Sequence, residues 1–171
     1  MKIIDDLLTN NRPYTKRTAT KGIVIHYVGN PNTSAKANRN YLNTPGINAS
    51  CNYIVGLKGE IICCIPDEEI SWCSGWTSIS ELVKNKFNGN ANNYTVSIET
   101  CHTDTDGRYT AETWAAIVEL TVMLCKKYGL TENDLYRHYD CCGDPKKNCP
   151  MLFVKFPAEW EKFKTQVKEK L

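Results

Sequence analysis

A chain of 171 residues, 42% hydrophobic and 23% charged, fits one domain able to bury roughly 70% of its unfolded surface, so folding needs no covalent or metal staple. A formal net charge of +2 leaves no broad cationic field, which excludes the usual nucleic-acid binder, and no stretch approaches the roughly 18–20 uninterrupted apolar residues of a membrane helix. The nine cysteines are odd in number and include the adjacent pairs Cys63-Cys64 and Cys141-Cys142, which argues against a disulfide framework and for thiols that mostly fill apolar space in a reduced protein.

Met1 to Leu8 is an apolar stretch broken by Asp5 and Asp6, without the continuous hydrophobic segment or cleavage site of a signal peptide, so synthesis in the cytoplasm without a leader is expected. Residues 10–21 are polar and read as an irregular lead-in. The run Gly22-Ile23-Val24-Ile25-His26-Tyr27-Val28-Gly29, β-branched and bounded by glycines, reads as a buried strand. Ser34 can cap a helix over 35–42, and 43–50 is a loop that borders any site at the end of that strand. Residues 51–56 and 60–65 form a hairpin about Leu57-Lys58-Gly59. A loop over 66–76 carries Trp72 and Trp76, which either stack on a ligand or pack a core edge, and a helix over 78–87 opens on the capping pattern Ser78-Ile79-Ser80-Glu81. Residues 88–93 read as surface loop, and 94–101 as a half-buried strand in which Val96 and Ile98 alternate with Ser97 and Glu99. Residues 110–128 form a core-covering helix stopped by Gly129, and 135–138 a further strand. A last helix from Pro157 places Trp160, Phe163, Val167 and Leu171 on one stripe. After the hairpin, strands and helices alternate, which predicts an α/β domain spanning 1–171, a mixed central sheet flanked by helices.

The chemistry concentrates in Leu135-Tyr136-Arg137-His138-Tyr139-Asp140-Cys141-Cys142-Gly143-Asp144-Pro145-Lys146-Lys147-Asn148-Cys149-Pro150. One imidazole (His138) and one thiolate (Cys149) in a loop after an apolar run suit a borderline-soft ion such as zinc. A third ligand must come from elsewhere, and His26, a polar ring in an apolar strand, needs a partner; an ordinary hydrogen bond would also serve it. Within the loop, Asp144 and the Cys141-Cys142 pair are rival ligands, and Lys147, two residues before Cys149, can reach over the ion.

Five segments in order, V-I-H-Y (Val24 to Tyr27), C-N-Y-I-V (Cys51 to Val55), V-S-I-E (Val96 to Glu99), R-H-Y-D (Arg137 to Asp140) and K-N-C-P (Lys147 to Pro150), resemble the zinc-dependent N-acetylmuramoyl-L-alanine amidases of type 2, a family that includes phage endolysins and peptidoglycan recognition proteins. The resemblance implies the peptidoglycan recognition protein-like fold, a Zn2+ cofactor on His26, His138 and Cys149, and Glu99 and Lys147 as catalytic residues, the base and the oxyanion holder. It implies substrate contacts at Cys51, Asn52, Trp72 and Cys73, although relatives often carry tyrosine where Cys51 stands and histidine where Cys73 stands. It further implies a monomer made in the bacterial cytoplasm and acting on the cell wall, with peptidoglycan as its partner, no nucleic acid and no membrane, and a wall-binding domain that can follow the catalytic part. Two other readings stay open on the residues: a peptidoglycan-binding module that does not cleave, and a cysteine hydrolase pairing Cys51 with His26 or His138.

Overall fold

The computed structural model describes residues 2–171 and contains one six-stranded sheet with helices on both faces. The strands are β1 (Ile3–Asp5), β2 (Gly22–Ile25), β3 (Tyr53–Val55), β4 (Ile61–Cys63), β5 (Thr95–Thr100) and β6 (Leu135–Arg137), in the order β1-β4-β3-β5-β2-β6. Only β3 and β4 pair antiparallel; they are the expected hairpin, closed by Gly56 N–H to Glu60 O at 2.8 Å and by Gly59 at φ +75°, a conformation a side chain would oppose. The parallel strands β3, β5, β2 and β6 therefore end at the same edge of the sheet, where ligands bind in open α/β folds.

The helices are α1 (Ala35–Leu42), α2 (Glu81–Lys86), α3 (Ala111–Tyr128), α4 (His138–Cys141), α5 (Met151–Lys155) and α6 (Pro157–Lys168). Side chains of Ser34 and Thr110 cap α1 and α3, and Gly129 ends α3 in the left-handed conformation. One face of the sheet packs Ile23, Ile25, Val96, Ile98 and Leu135 against α3, α5 and α6, whose Ile117, Leu120, Phe153, Trp160 and Phe163 form the main core. The other face divides between a cluster with Leu8, Ala35, Cys51, Ile54 and Cys64 under α1 and one with Val24, Val83, Phe87 and Tyr136 under α2. Gly22 lets β2 approach β6, since a Cβ there would lie 2.7 Å from the Tyr136 ring.

Some expectations hold, others are corrected, and one strand was not foreseen. Ile3–Asp5 is a strand, parallel to β4 at the sheet edge. The cap of α2 is Ser80, whose Oγ accepts from Val83 N–H, so the helix begins at Glu81 and Ser78 lies before it. Except at Glu99, which is partly exposed, strand β5 is buried on both faces because α-helices cover each side, so Ser97 is wholly enclosed rather than solvent-facing. The strand into the 138–149 loop stops at Arg137, and His138 opens α4. Helix α6 ends at Lys168, and Leu171 lies beyond it, exposed. All nine cysteines are free thiols. Among the described residues, no helix is long and apolar enough to cross a membrane.

Asn52 ties the sheet to the loop that follows β4. Its amide donates to Pro66 O at 3.0 Å and Glu69 O at 3.1 Å, and its carbonyl accepts from Ser97 N–H and Ser71 Oγ, both at 3.1 Å, with no exposed surface. Asn52→Ala leaves several of these buried groups without partners and should lower unfolding free energy by about 2–4 kcal/mol, read from urea denaturation.

Candidate metal centre

His26, His138 and Cys149 converge at the carboxyl edge of the sheet. His26 continues β2 by one residue: its N–H donates to Ile98 O at 2.8 Å and its carbonyl accepts from Thr100 N–H at 3.2 Å, which places it beside Glu99 of β5 on the same face. His138 is the first residue of α4, where Arg137 and Asp140 clamp the turn: Arg137 N–H to Asp140 Oδ2 at 2.8 Å and Arg137 Nη2 to Asp140 Oδ1 at 2.7 Å. Arg137 also donates to Phe153 O at 3.1 Å, anchoring the turn to α5. Cys149 comes back along the other limb of the loop, with Tyr139 N–H donating to its carbonyl at 2.8 Å.

The Nδ1 atoms of His26 and His138 lie 3.1 Å apart, and Cys149 Sγ lies 3.8 Å from His26 Nδ1; all three residues are buried. Tetrahedral zinc, with bonds of about 2.0–2.1 Å to nitrogen and about 2.3 Å to sulfur, separates such atoms by about 3.3 Å and about 3.6 Å, so the donor set fits that ion. The outer ring nitrogens fit as well. His138 Nε2 lies 3.3 Å from Gly75 O, a group that only accepts, so in the neutral ring the proton sits on Nε2 and Nδ1 turns a lone pair inward. His26 Nε2 lies 3.4 Å from Ser74 Oγ, which can accept the proton of that ring when its own Nδ1 is a ligand. Burial above all, then the neighbouring imidazole and Lys147, holds the His26 imidazole neutral far into acid; burial and Lys147 bring His138 to about 4. Both rings are ligand-ready at neutral pH. The Cys149 thiol is pushed up by burial and by Glu99, against the Tyr27 backbone N–H and Lys147, so the cation itself must draw off its proton.

Glu99 and Lys147 flank this cluster. Burial raises Glu99 from an ordinary value near 4.5 to about 8, against the Cys73 hydrogen bond and Lys147, and its Oε2 is buried with no partner. Cys73 Sγ donates to Glu99 Oε1 at 3.5 Å. The Lys147 ammonium stands 3.6 Å above the Trp76 ring, which in turn meets the His138 ring edge-on with centroids 6.2 Å apart. Lys146 is exposed.

Two hollows of about 220 and 480 Å³ meet at Ala49 and open on this edge, one reaching Glu99 past Tyr27, Asn38 and Tyr41, the other reaching Cys73 and His138 past Trp72, Trp76 and Asn92. Trp72 and Trp76 are 40% and 43% exposed, so they face the groove and are not a core edge. The expected border role of 43–50 agrees with Asn48 and Ala49 in the lining. Cys51 and Asn52 are corrected: neither has any exposed surface, Cys51 packing in the apolar cluster beneath α1 and Asn52 spending its amide on the 65–71 loop, so neither can touch a ligand. Burial, then a bond to Cys64, drives the Cys51 thiol up, which removes it as a nucleophile. Asp144 turns its carboxylate to Lys146 N–H instead of the cluster, and Cys141 packs in the core beneath α2. Ser74, Gly75 and Asn92 were not legible as site residues. Asn92 Oδ1 accepts from both Cys73 N–H and Ser74 N–H, at 3.2 and 2.7 Å, and so fixes the loop that supplies Ser74 Oγ and Gly75 O; the only hint was the position of Trp72-Cys73-Ser74-Gly75-Trp76 between two tryptophans.

Comparison with known proteins gives this geometry its relatives. BlyA of Bacillus subtilis (strain 168), named an N-acetylmuramoyl-L-alanine amidase, is 32% identical over 167 residues, covering 94% of this chain and 44% of its own length. The chain spans about half the length of the curated relatives it matches. The catalytic domain of XlyA superposes with a TM-score of 0.77 at 26% identity, covering 98% of this chain and 99% of that one. PlyL shares the fold, with a TM-score of 0.79 at 24% identity over 100% of this chain and 99% of its own. Residues 16–151, which hold every ligand of the cluster, match the family described as N-acetylmuramoyl-L-alanine amidase, and the chain belongs to that family.

Proposed function

We propose that this chain hydrolyses the amide between N-acetylmuramic acid and L-alanine in bacterial peptidoglycan, using a zinc ion on His26, His138 and Cys149, and that its place of action is the cell wall. The observation that carries the reading is the convergence of two neutral imidazoles and one thiol, from three separate stretches of chain, at the mouth of a groove. Family membership and the names of relatives support the bond and the polymer.

Bound zinc supplies a Lewis acid for the scissile carbonyl and acidifies water. Glu99, beside His26 on the neighbouring strand, takes the proton of the attacking water as the carboxylate and delivers it to the departing L-alanine nitrogen; its burial favours the protonated form that carries the proton between the two transfers. Lys147, poised over Trp76, offers its ammonium to the carbonyl oxygen as negative charge gathers there. Tyr41, Trp72 and Trp76 present aromatic faces along the groove for sugar and peptide. Ser74 and Gly75 hold the imidazole rings in orientation.

Chelation should abolish release of new L-alanine amino ends from purified wall, and one equivalent of zinc should restore it; full activity in demonstrably zinc-free protein refutes the reading. Cys149→Ala should lose both metal and activity. Lys147→Ala should retain zinc by elemental analysis while kcat falls about 100- to 1000-fold, the usual cost of one oxyanion-stabilising group.

Glu99 also sets a pH dependence of stability in the metal-free protein. Between about 4.5 and about 8 the folded state keeps a proton that the unfolded chain has released, so the folded form binds more protons and stability falls as pH rises through that window. Glu99→Gln lacks this slope. Its stability relative to the parent chain should therefore increase from pH 5 to pH 8 in urea unfolding of metal-free samples, and a constant difference would show that Glu99 is ionised throughout.

A further inference from the structure

Besides the His26, His138 and Cys149 set, the ligating atoms of His26, Cys73 and Glu99 also lie within 4.8 Å of one another. These residues come from the end of β2, the loop after β4, and β5, so the cluster is not an accident of chain proximity. Three features point to a ligand there. Glu99 Oε2 is buried with no partner, an acceptor with nothing to accept from. Cys73 is partly exposed where the other eight thiols are buried, and it lines the groove. His26 has two faces: Nδ1 turns to His138 and Cys149, whereas Nε2 turns to Ser74, the residue next to Cys73. An imidazole that gives up its second ring proton can serve one cation at each nitrogen.

We infer that Cys73, Glu99 and His26 form a second, inhibitory site for a soft or borderline divalent cation, zinc in excess or cadmium, alongside the first. One sulfur, one nitrogen and one carboxylate oxygen are a ligand set of the kind such ions select. Binding releases three protons to solvent, from the Cys73 thiol, the Glu99 carboxyl and His26 Nε2, leaving that ring an imidazolate between two cations; it replaces the 3.5 Å thiol–carboxylate hydrogen bond with two bonds to the cation and gives Oε2 a positive neighbour. It also occupies the carboxylate that the proposed function uses as its base. The inhibition rests on that reading, whereas the binding does not. A second cation so close to the first is repelled by it, so the second site fills only after the first.

Titration of the metal-free protein with cadmium alone tests this, followed by native mass spectrometry and by the ultraviolet thiolate-to-cadmium absorption. The parent chain should take up two equivalents in sequence, each adding one increment of thiolate absorption, and Cys73→Ser should take up one. Wall cleavage, each protein compared with its own rate at one equivalent of zinc, should fall at least about tenfold in the parent chain at excess zinc and stay level in Cys73→Ser. A parent chain that stops at one equivalent, a Cys73→Ser protein that still takes two, or excess zinc that inhibits both alike overturns the proposal. The first equivalent reports separately on His26, His138 and Cys149, since Cys149→Ser should weaken that step, so loss of the main site and loss of the second are told apart.

Discussion

The structure depends on the placement of one proton. His138 has to donate from Nε2 because Gly75 offers only a carbonyl, so its Nδ1 is bare and points at His26 Nδ1 from 3.1 Å. That short gap is filled either by a proton on His26 or by a cation shared between the rings. In the second case the His26 proton moves to Nε2, where Ser74 Oγ waits at 3.4 Å. Exchange of proton for metal thus requires no movement of either ring, only the choice of tautomer. Rings held neutral by burial need no further deprotonation, and Cys149 is left as the group that must ionise.

What holds the rings so closely is the register of parallel strands. Pairing of Ile25 with Ile98 and with Arg137 carries His26 next to Glu99 on one side and next to His138 on the other. A slip of one residue would send His26 into the core face among Ile23, Ile25 and Val96. Register is therefore a chemical constraint as well as a packing one. The loop carrying Ser74 and Gly75 is tied to the same sheet by Asn52 through the 65–71 segment and by Asn92 at Cys73 and Ser74. A buried asparagine beneath the sheet edge and one in the groove wall thus decide where its ring partners lie.

Much of this was legible in the sequence, and the failures have physical causes. Long patterns read correctly: α3, with its threonine cap and terminal glycine, and the hairpin at Gly59 follow from local preferences that packing does not contest. That His26, His138 and Cys149 would converge could be anticipated because an imidazole in an apolar run and a thiol in a short loop are costly unless used. Short elements did not read. Three residues of β1 show no period, and only pairing with Ile61–Cys63, far along the chain, makes them a strand. Motif position also misled at Cys51 and Asn52: alternation along β3 tells which residues share a face, but not that α1 and the 65–71 loop seal this one at its start. Backbone partners such as Gly75 O leave no trace in composition at all.

The groove edge is expensive for the fold. Two uncharged imidazoles and a thiol are taken out of water there, and the Glu99 oxygen left unpartnered costs about 1–3 kcal/mol in a molecule whose whole margin is about 5–15 kcal/mol. The opposing face of the sheet is built to offset this. There Trp114, Phe153, Trp160 and Phe163 interlock edge-to-face and stacked with centroids 5.2–6.2 Å apart, and the indole N–H of Trp114 is satisfied by Gln166 at 2.7 Å. Arg137 joins the two halves, since one guanidinium binds Asp140 beside His138 and Phe153 O within the aromatic core. A perturbation of that core therefore has a direct route to His138 through the Arg137 side chain, and a second to Cys149 through the start of α5.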